Sequence, residues 1–430
     1  MVVRYPYWRI YLLQRIVIFL FSLILLSACS APEAQVSLTP TVLYEAEVTE
    51  TTLPPTATWT PVPPLADDTP TPQPSETSTG EPVGPVGLIA YVGSDGNLWL
   101  LERATGEVRP LTEDALAWQP GSQDQTQTIT YCCVAWSSDG ELLAYQREVG
   151  DAVESGMQYT FELWGYEPES DQARLLLENM QTAGFSWRPG THWISFGLTT
   201  DPAYFVSRGE TSAELAKGIW GVEYETVQVG ELVTPTRGLS LVVPQWSADG
   251  SILAFDEVYL MEGRGKFAYY DFEAQEYVAW DEVIGGYSLS PDGEWIAFDT
   301  LAYTASGTER IWLRTRLGDL AETISPEDLG GYAFGPVFSP QGDRIAYLAS
   351  LGGPDDPQNT LLVYDLTSRE TLELGSFESV MWLSWSPDGE RLLFSAGPYP
   401  DQQVMEVALA DGSSSVLAQG SQADWQPVAP

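Results

Sequence analysis

The residue types that most often carry catalysis are scarce in this chain of 430 residues. It contains one histidine, His192, and three cysteines, Cys29, Cys132 and Cys133. Metal centres and serine triads usually need several imidazoles, or one imidazole that acts as the base. We therefore expect no metal, no cofactor and no histidine-based catalysis.

Carboxylates, in contrast, are abundant, with 60 Asp and Glu residues against 19 Lys and Arg residues and a net charge of -41. Two carboxylates that face each other can hydrolyse a glycosidic bond. Asp256 and Asp299 occupy the same place in two strand-like runs, Leu-Ala-Phe-Asp and Ile-Ala-Phe-Asp. They are our candidates for acids on a channel or loop face, and the alternative is that both are solvated strand ends.

Two other kinds of site are not supported by motifs. No Gly-x-Ser-x-Gly elbow of a serine hydrolase occurs, and the nearest sequence is Gly184-Phe-Ser-Trp-Arg188. No Asp-x-Asp-x-Asp-Gly calcium loop occurs either. We expect a protein that is not an enzyme and whose calcium binding is weak at most.

Cys132 and Cys133 are adjacent in a run that we expect to be a strand. Neighbouring side chains of a regular strand point to opposite faces, so a disulfide between them needs a distorted backbone. Two small residues within a first strand is the simpler interpretation, and the disulfide stays open.

The charge restricts the partners. Binding to nucleic acid needs clustered Lys and Arg, and this chain would repel a polyanion. The acidity does not indicate disorder, because 44% of the residues are hydrophobic and 16 are Trp. We expect a folded protein with a basic, cationic or neutral partner and no nucleic acid.

A short phrase of the type Trp-Ser-Pro-Asp-Gly recurs six times, each time followed by an apolar run such as Leu142-Leu-Ala-Tyr145. Pro suits the second position of a type I turn, Asp can bond back to the backbone, and Gly suits the fourth position. The phrase therefore predicts a strand–turn–strand hairpin. Its structural residues are Asp139, Gly140, Gly190, Asp249, Gly250, Asp292, Gly293, Gly342, Asp388 and Gly389.

Successive glycines of this phrase lie about 40 to 60 residues apart, which suits one four-stranded blade of a β-propeller. The first segment, from Gly87, lacks a first strand, and the last, 422–427, resembles a first strand without a successor. We predict an all-β propeller over 87–430, with seven blades closed by pairing of the terminal strands. Six or eight blades stay open, because 116–120 also resembles a first strand.

Residues 1–28 have the composition of a signal peptide, with three Arg residues before an apolar run of eleven, 16–26. Leu26-Ser27-Ala28-Cys29 resembles the lipobox of bacterial lipoproteins, in which the cysteine receives the lipid and the signal is removed. The resemblance implies lipidation of Cys29 with palmitate-type chains. Residues 29–86 continue with a stretch rich in Thr and Pro, and we expect a disordered linker after the lipidated cysteine.

The Trp/Phe-Ser-Pro-Asp-Gly hairpins resemble the TolB-type, WD-repeat-like (PD40-type) propellers of bacterial envelope proteins, over about residues 87 to 430. The resemblance implies a protein of the cell envelope. The lipid on Cys29 would anchor it outside the cytoplasm to the bacterial cell membrane, or to the outer membrane if the cell has one. We expect a non-enzymatic module that binds a protein or ligand. The alternative is a carbohydrate-active enzyme or small-ligand receptor that uses the central channel. We place the binding face at the long connections 113–131, 148–157 and 199–217.

Overall fold

The computed structural model describes residues 87–117, 125–153, 156–178, 182–198, 217–237, 239–258, 265–300, 310–318, 321–326, 329–352 and 357–427. These residues form strands, turns and irregular segments, with no helix among them. Within them, accordingly, no helix has the length and apolar character that a membrane crossing needs. The predicted signal peptide, Cys29 and the linker lie outside the described residues.

All of the strand pairing is antiparallel, and the strands divide into one seven-stranded and five four-stranded sheets. Three short strands come first: β1 Leu88–Gly93, β2 Leu98–Glu102 and β3 Glu107–Pro110. The first four-stranded sheet comprises β4 Gln127–Trp136, β5 Leu143–Val153, β6 Gly156–Glu167 and β7 Gln172–Glu178. The second comprises β8 Thr182–Trp187, β9 Trp193–Leu198, β10 Ile219–Glu223 and β11 Val229–Val233.

The next three sheets repeat this order. The third comprises β12 Ser240–Trp246, β13 Ile252–Val258, β14 Gly265–Asp271 and β15 Glu276–Val283. The fourth comprises β16 Tyr287–Leu289, β17 Trp295–Asp299, β18 Ile311–Thr315 and β19 Ala321–Thr323. The fifth comprises β20 Tyr332–Phe338, β21 Arg344–Ser350, β22 Gln358–Asp365 and β23 Thr371–Glu378. The seven-stranded sheet adds β24 Met381–Trp385, β25 Arg391–Ala396, β26 Gln403–Ala408 and β27 Ser414–Trp425 to β1–β3.

The long strand β27 joins the two ends of the chain. Its first half pairs with β26, and its second half, from Gly420, pairs with β1, where Ile89 faces Trp425. The expected pairing of the terminal strands is thus confirmed, and the fold is an all-β propeller. Hydrogen bonding alone divides the described strands into six sheets, so the count of seven blades stays a prediction.

The first strands of successive sheets contact one another in a closed cycle that runs through β4, β8, β12, β16, β20, β24 and the second half of β27. We call this cycle the inner ring. Two of the tryptophans that end these strands donate to the sheet before them: Trp187 Nε1 to the carbonyl of Ala135, and Trp385 Nε1 to that of Val337. These tryptophans pack between sheets, as their fixed place in the repeat suggests.

The second strands are buried on both faces because each sheet lies between two others. In β25, Leu392, Leu393 and Phe394 are fully buried. Burying each such side chain contributes about 1.5–3 kcal/mol, so these continuous apolar runs hold the sheets together.

One of the three long connections that we expected to be loops extends a pair of strands instead. Residues 148–157 do not form a loop, because β5 and β6 stay paired until Val153 faces Gly156. The end of 113–131 is likewise part of β4, and Leu116 contributes a single bridge to Ile129. Most of 199–217 lies outside the described residues.

Candidate functional site

The repeated turns have one hydrogen-bond pattern. In the first, Ser137 Oγ donates to Asp139 Oδ1 at 2.6 Å, and the same carboxylate oxygen accepts the N–H of Glu141 at 3.0 Å. Ser137 Oγ also accepts the N–H of Leu142 at 2.9 Å, which fixes the start of the next strand. Asp249, Asp292 and Asp388 make the equivalent contacts.

The glycines of this turn all have a left-handed backbone. Gly140, Gly190, Gly250, Gly293, Gly342 and Gly389 have φ between 69° and 74°. Each of the five that follow a serine donates its N–H to the serine carbonyl three residues before it, which is the fourth turn position. In the fifth sheet, where Gln341 replaces Asp, Asp343 accepts the Ser339 hydroxyl instead. We call these six turns the turn frame.

A cavity of about 600 Å³ lies where the turns of the first and second four-stranded sheets meet. It is formed by the turn after β4, the β6–β7 turn, the start of β9 and the β10–β11 turn. Its lining is mostly polar: Glu141, Leu142, Glu167, Ser170, Gln172, Ala173, Arg174, His192, Tyr224 and Glu225. The volume falls within the range of small-ligand sites.

His192 is held between carboxylates of both sheets. Its Nδ1 lies 2.5 Å from Glu225 Oε1, and its Nε2 lies 3.1 Å from Asp139 Oδ2 and 3.8 Å from Glu141 Oε2. Burial opposes the charged imidazole, but the bonds to Glu225 and Asp139 outweigh it and raise the pKa of His192 above its ordinary value. When His192 is protonated, its imidazolium links the two sheets as an ion pair.

The other cation of the cavity is occupied by backbone carbonyls. Arg174 donates to the carbonyl oxygens of Tyr224 and Glu225 at 3.0 and 2.6 Å, and its guanidinium lies over the Tyr224 ring. Arg174 keeps its positive charge, but the three Glu side chains of the lining outnumber Arg174 and a charged His192, so the cavity is acidic overall. Glu141 and Glu167 form its acidic rim. Such a rim attracts cationic groups.

Asp139, Glu141 and His192 also present donor atoms that lie within 4.8 Å of one another, close enough for a shared divalent cation. This cluster was not predicted from the sequence, because Asp139 was assigned to the turn alone. His192 directly precedes β9, which begins at Trp193. A comparison of neighbouring repeats could have found the cluster, since residues just after adjacent turn glycines lie side by side.

The two candidate acids Asp256 and Asp299 have different surroundings. Asp299 is buried, and its Oδ2 accepts the N–H groups of Gly286 and Gly335, each at 3.0 Å. It thereby ties the inner-ring strands of the fourth and fifth sheets together. Asp256 is half-buried in β13. The burial of Tyr287 and, as a smaller cause, the charge of Asp256 raise the pKa of Tyr287.

A further acid, which lies in the inner-ring half of β27, was not singled out from the sequence. Asp424 accepts the N–H of Trp136 at 3.0 Å and so connects β27 to β4. Burial raises its pKa to about 6 against the opposing hydrogen bonds from the Trp136 and Trp425 amides.

Comparisons with known proteins support the fold and leave the function open. No family model matches the chain. A stretch of 125 residues is 32% identical to dipeptidyl-peptidase 5 of Aspergillus fumigatus and covers 25% of this chain but 17% of that protein. The corresponding probable dipeptidyl-peptidase 5 of Aspergillus clavatus is 31% identical over 123 residues, again 17% of its length. The chain thus matches a small part of these relatives.

Among solved structures, an oligogalacturonate lyase in complex with manganese aligns with a TM-score of 0.53 at 14% identity and covers 78% of this chain and 85% of that one. A prolyl endopeptidase structure has the same TM-score and identity and covers 76% of this chain and 46% of that one. TolB from Acinetobacter baumannii aligns with a TM-score of 0.45 at 13% identity, over 70% of this chain and 83% of that one. At these identities the first two structures support the fold alone.

Proposed function

We propose that this propeller is a non-enzymatic binding module of the cell envelope, held outside the cytoplasm by a lipid on Cys29. The observation that carries the binding role is the acidic cavity between the first and second four-stranded sheets. Three Glu side chains line it, and its Arg174 is engaged with carbonyl oxygens. We assign to it a basic partner, because opposite charge speeds encounter and selects against acidic competitors.

Two features argue against hydrolytic chemistry, one in this cavity and one at a candidate acid outside it. Both ring nitrogens of His192 face carboxylates rather than a hydroxyl, so the imidazole is not placed as the base of a serine triad. Asp299, one of the two candidate acids, is committed to two backbone amides. A carboxylate that anchors backbone cannot also act freely as a nucleophile or acid.

A small-ligand receptor is the second candidate, and the size of the cavity favours it. The lyase of similar fold is named for oligogalacturonate, a sugar chain that carries carboxylates. The acidic rim of this cavity would repel such a chain, so a neutral or cationic saccharide is the better fit.

The lipid anchor is tested by changing Cys29 to Ala in the full chain and measuring palmitate incorporation and the removal of residues 1–28. We expect palmitate on the wild-type protein and loss of residues 1–28 from it, whereas the variant should carry no palmitate and keep residues 1–28. A wild-type protein without palmitate, or a variant that still incorporates it, would contradict the anchor.

The binding role is tested by capturing the full chain from crosslinked envelopes and, in parallel, by probing a glycan array with the purified protein. We expect a captured protein with a basic surface and no glycan signal. No protein partner together with clear glycan binding would favour the receptor instead.

A further inference from the structure

The inner-ring strand β4 carries two adjacent cysteines whose sulfur atoms meet. Cys132 Sγ and Cys133 Sγ lie 2.6 Å apart, and both residues are half-buried. Adjacent side chains of a regular strand point to opposite faces and could not approach this closely. The backbone of β4 must therefore be distorted at this point.

The distortion is a bulge that recurs around the inner ring. The register of β4 against β5 shifts between Cys132 and Ala135, and Cys133 has φ of 64°. The residue three positions before the end of the first strand has positive φ in other sheets too: Gly184, Val243, Gly335, Trp382 and Gln422. The fold thus imposes this turned conformation, and in β4 it places two thiols on the same side.

The surroundings hold the pair in place. The N–H of Cys133 donates to Gln422 Oε1 at 2.7 Å, a contact that ties the bulge to β27, the strand that closes the propeller. Cys132 Sγ lies 3.5 Å from Gln146 Oε1. The contact with Cys133 and burial raise the pKa of Cys132, so the thiolate of this residue is disfavoured.

We propose that Cys132 and Cys133 form a vicinal disulfide that locks the β4 bulge at the closing joint of the propeller. Both thiols lose their protons, one S–S bond forms, and the two electrons reduce the disulfide of an oxidant to two thiols. Outside the cytoplasm, a dithiol oxidase or oxidised glutathione supplies that disulfide. The availability of the cellular oxidant rests on the proposed location, whereas the ability of the pair to close rests on the geometry alone.

The redox state is measured on the full chain, exported with its own signal sequence and denatured in an alkylating reagent without reductant. Trypsin releases Cys132 and Cys133 in one peptide that ends at Arg147, separate from Cys29. We expect no alkylated cysteine in this peptide before reduction and two after it. Two alkylated cysteines before reduction, or a disulfide to a second molecule, would overturn the proposal for the exported protein.

A second measurement separates this geometry from the question of location. The purified full chain is first reduced and then treated with oxidised glutathione. We expect closure of the pair with loss of two hydrogens and no lasting adduct, whereas Cys132→Ser and Cys133→Ser should each retain one glutathione. A stable adduct on the wild-type pair would contradict the disulfide even if the protein is exported and binds its partner.

Discussion

The turn frame and the inner ring lie within a few residues of each other on the same first strands, yet they use sequence differently. In the turn frame, residue types and hydrogen bonds repeat together, as at Ser137 and Asp139. In the inner ring, the left-handed backbone repeats but the residues do not: Gly184 and Gly335 share it with Cys133, Val243 and Trp382. Repetition of residue types thus marks positions where the backbone needs that chemistry. Variation on a repeated backbone marks positions that are free to differ between sheets.

The largest effect should come from removing Asp299, which lies in β17 and joins Gly286, next to β16, to Gly335 in β20. Changing Asp299 to Ala leaves the N–H groups of Gly286 and Gly335 without this acceptor. We expect a loss of about 3–5 kcal/mol in the free energy of unfolding, since two hydrogen bonds to a charged group are removed and each contributes about 1.5–3 kcal/mol. Denaturant unfolding measures it.

Asp256→Ala is the matched control, because the same residue is removed from the equivalent place in the preceding sheet. Asp256 is half-buried, and we expect a loss of at most about 1 kcal/mol. Equal losses for the two variants would contradict the structural role of Asp299.

The turn frame is broken most sharply at Gly140. A Cβ on Gly140 would lie 2.2 Å from the carbonyl oxygen of Pro427, in a backbone with φ of 74°. We expect Gly140→Ala to lower the free energy of unfolding by about 2–3 kcal/mol. Gly190→Ala has nearly the same φ but no atom within 4 Å, so we expect about 1 kcal/mol there. A Gly190 variant as unstable as the Gly140 variant would show that φ, not the contact with Pro427, dominates.

Replacing Asp424 tests whether a buried carboxylate in the inner ring lowers the stability of the protein. Burial raises its pKa to about 6, so ionisation is disfavoured in the folded state and this residue destabilises the protein as pH rises from about 4 to above 6. We expect Asp424→Asn to raise the free energy of unfolding at pH 8 by about 1–3 kcal/mol, since one pKa unit is about 1.4 kcal/mol. The gain should vanish near pH 4, and a gain of equal size at both pH values would contradict the burial of the charge.

His192 should give the smallest effect on stability and the opposite dependence on pH. Its pKa is raised in the folded protein, so its contribution is full below the unfolded value near 6.5 and is lost as pH rises through the folded value. We expect His192→Gln to be more destabilising at pH 6 than at pH 9, as measured by denaturant unfolding. A difference that is independent of pH would show that the ion pairs with Glu225 and Asp139 contribute little.

Much of the turn frame could be predicted from the sequence, because each turn is specified by a few consecutive residues. The Ser-x-Asp-Gly phrase encodes its own turn, and the missing first strand at Gly87 predicted the partner at Trp425 that β27 provides. The cavity was harder to predict, because Glu141, His192 and Glu225 are distant in sequence and meet only when two sheets pack together. The bulge at Cys133 was missed for a different reason: alternation along a strand gives no sign of one inserted left-handed residue.

The central claim is that the acidic cavity, rather than acidity in general, binds the partner. The direct test is quantitative capture from crosslinked envelopes with two full-length variants that each remove two charges. Glu141→Gln with Glu167→Gln changes the cavity rim and leaves the contact of His192 with Glu225 in place. Glu273→Gln with Glu276→Gln changes exposed acids of the equivalent turn in the third four-stranded sheet. We predict that the cavity variant captures at least about tenfold less partner than the wild-type protein, equivalent to about 1.4 kcal/mol. The control variant should capture as much partner as the wild-type protein. Equal capture by both variants, or equal loss, would contradict the claim.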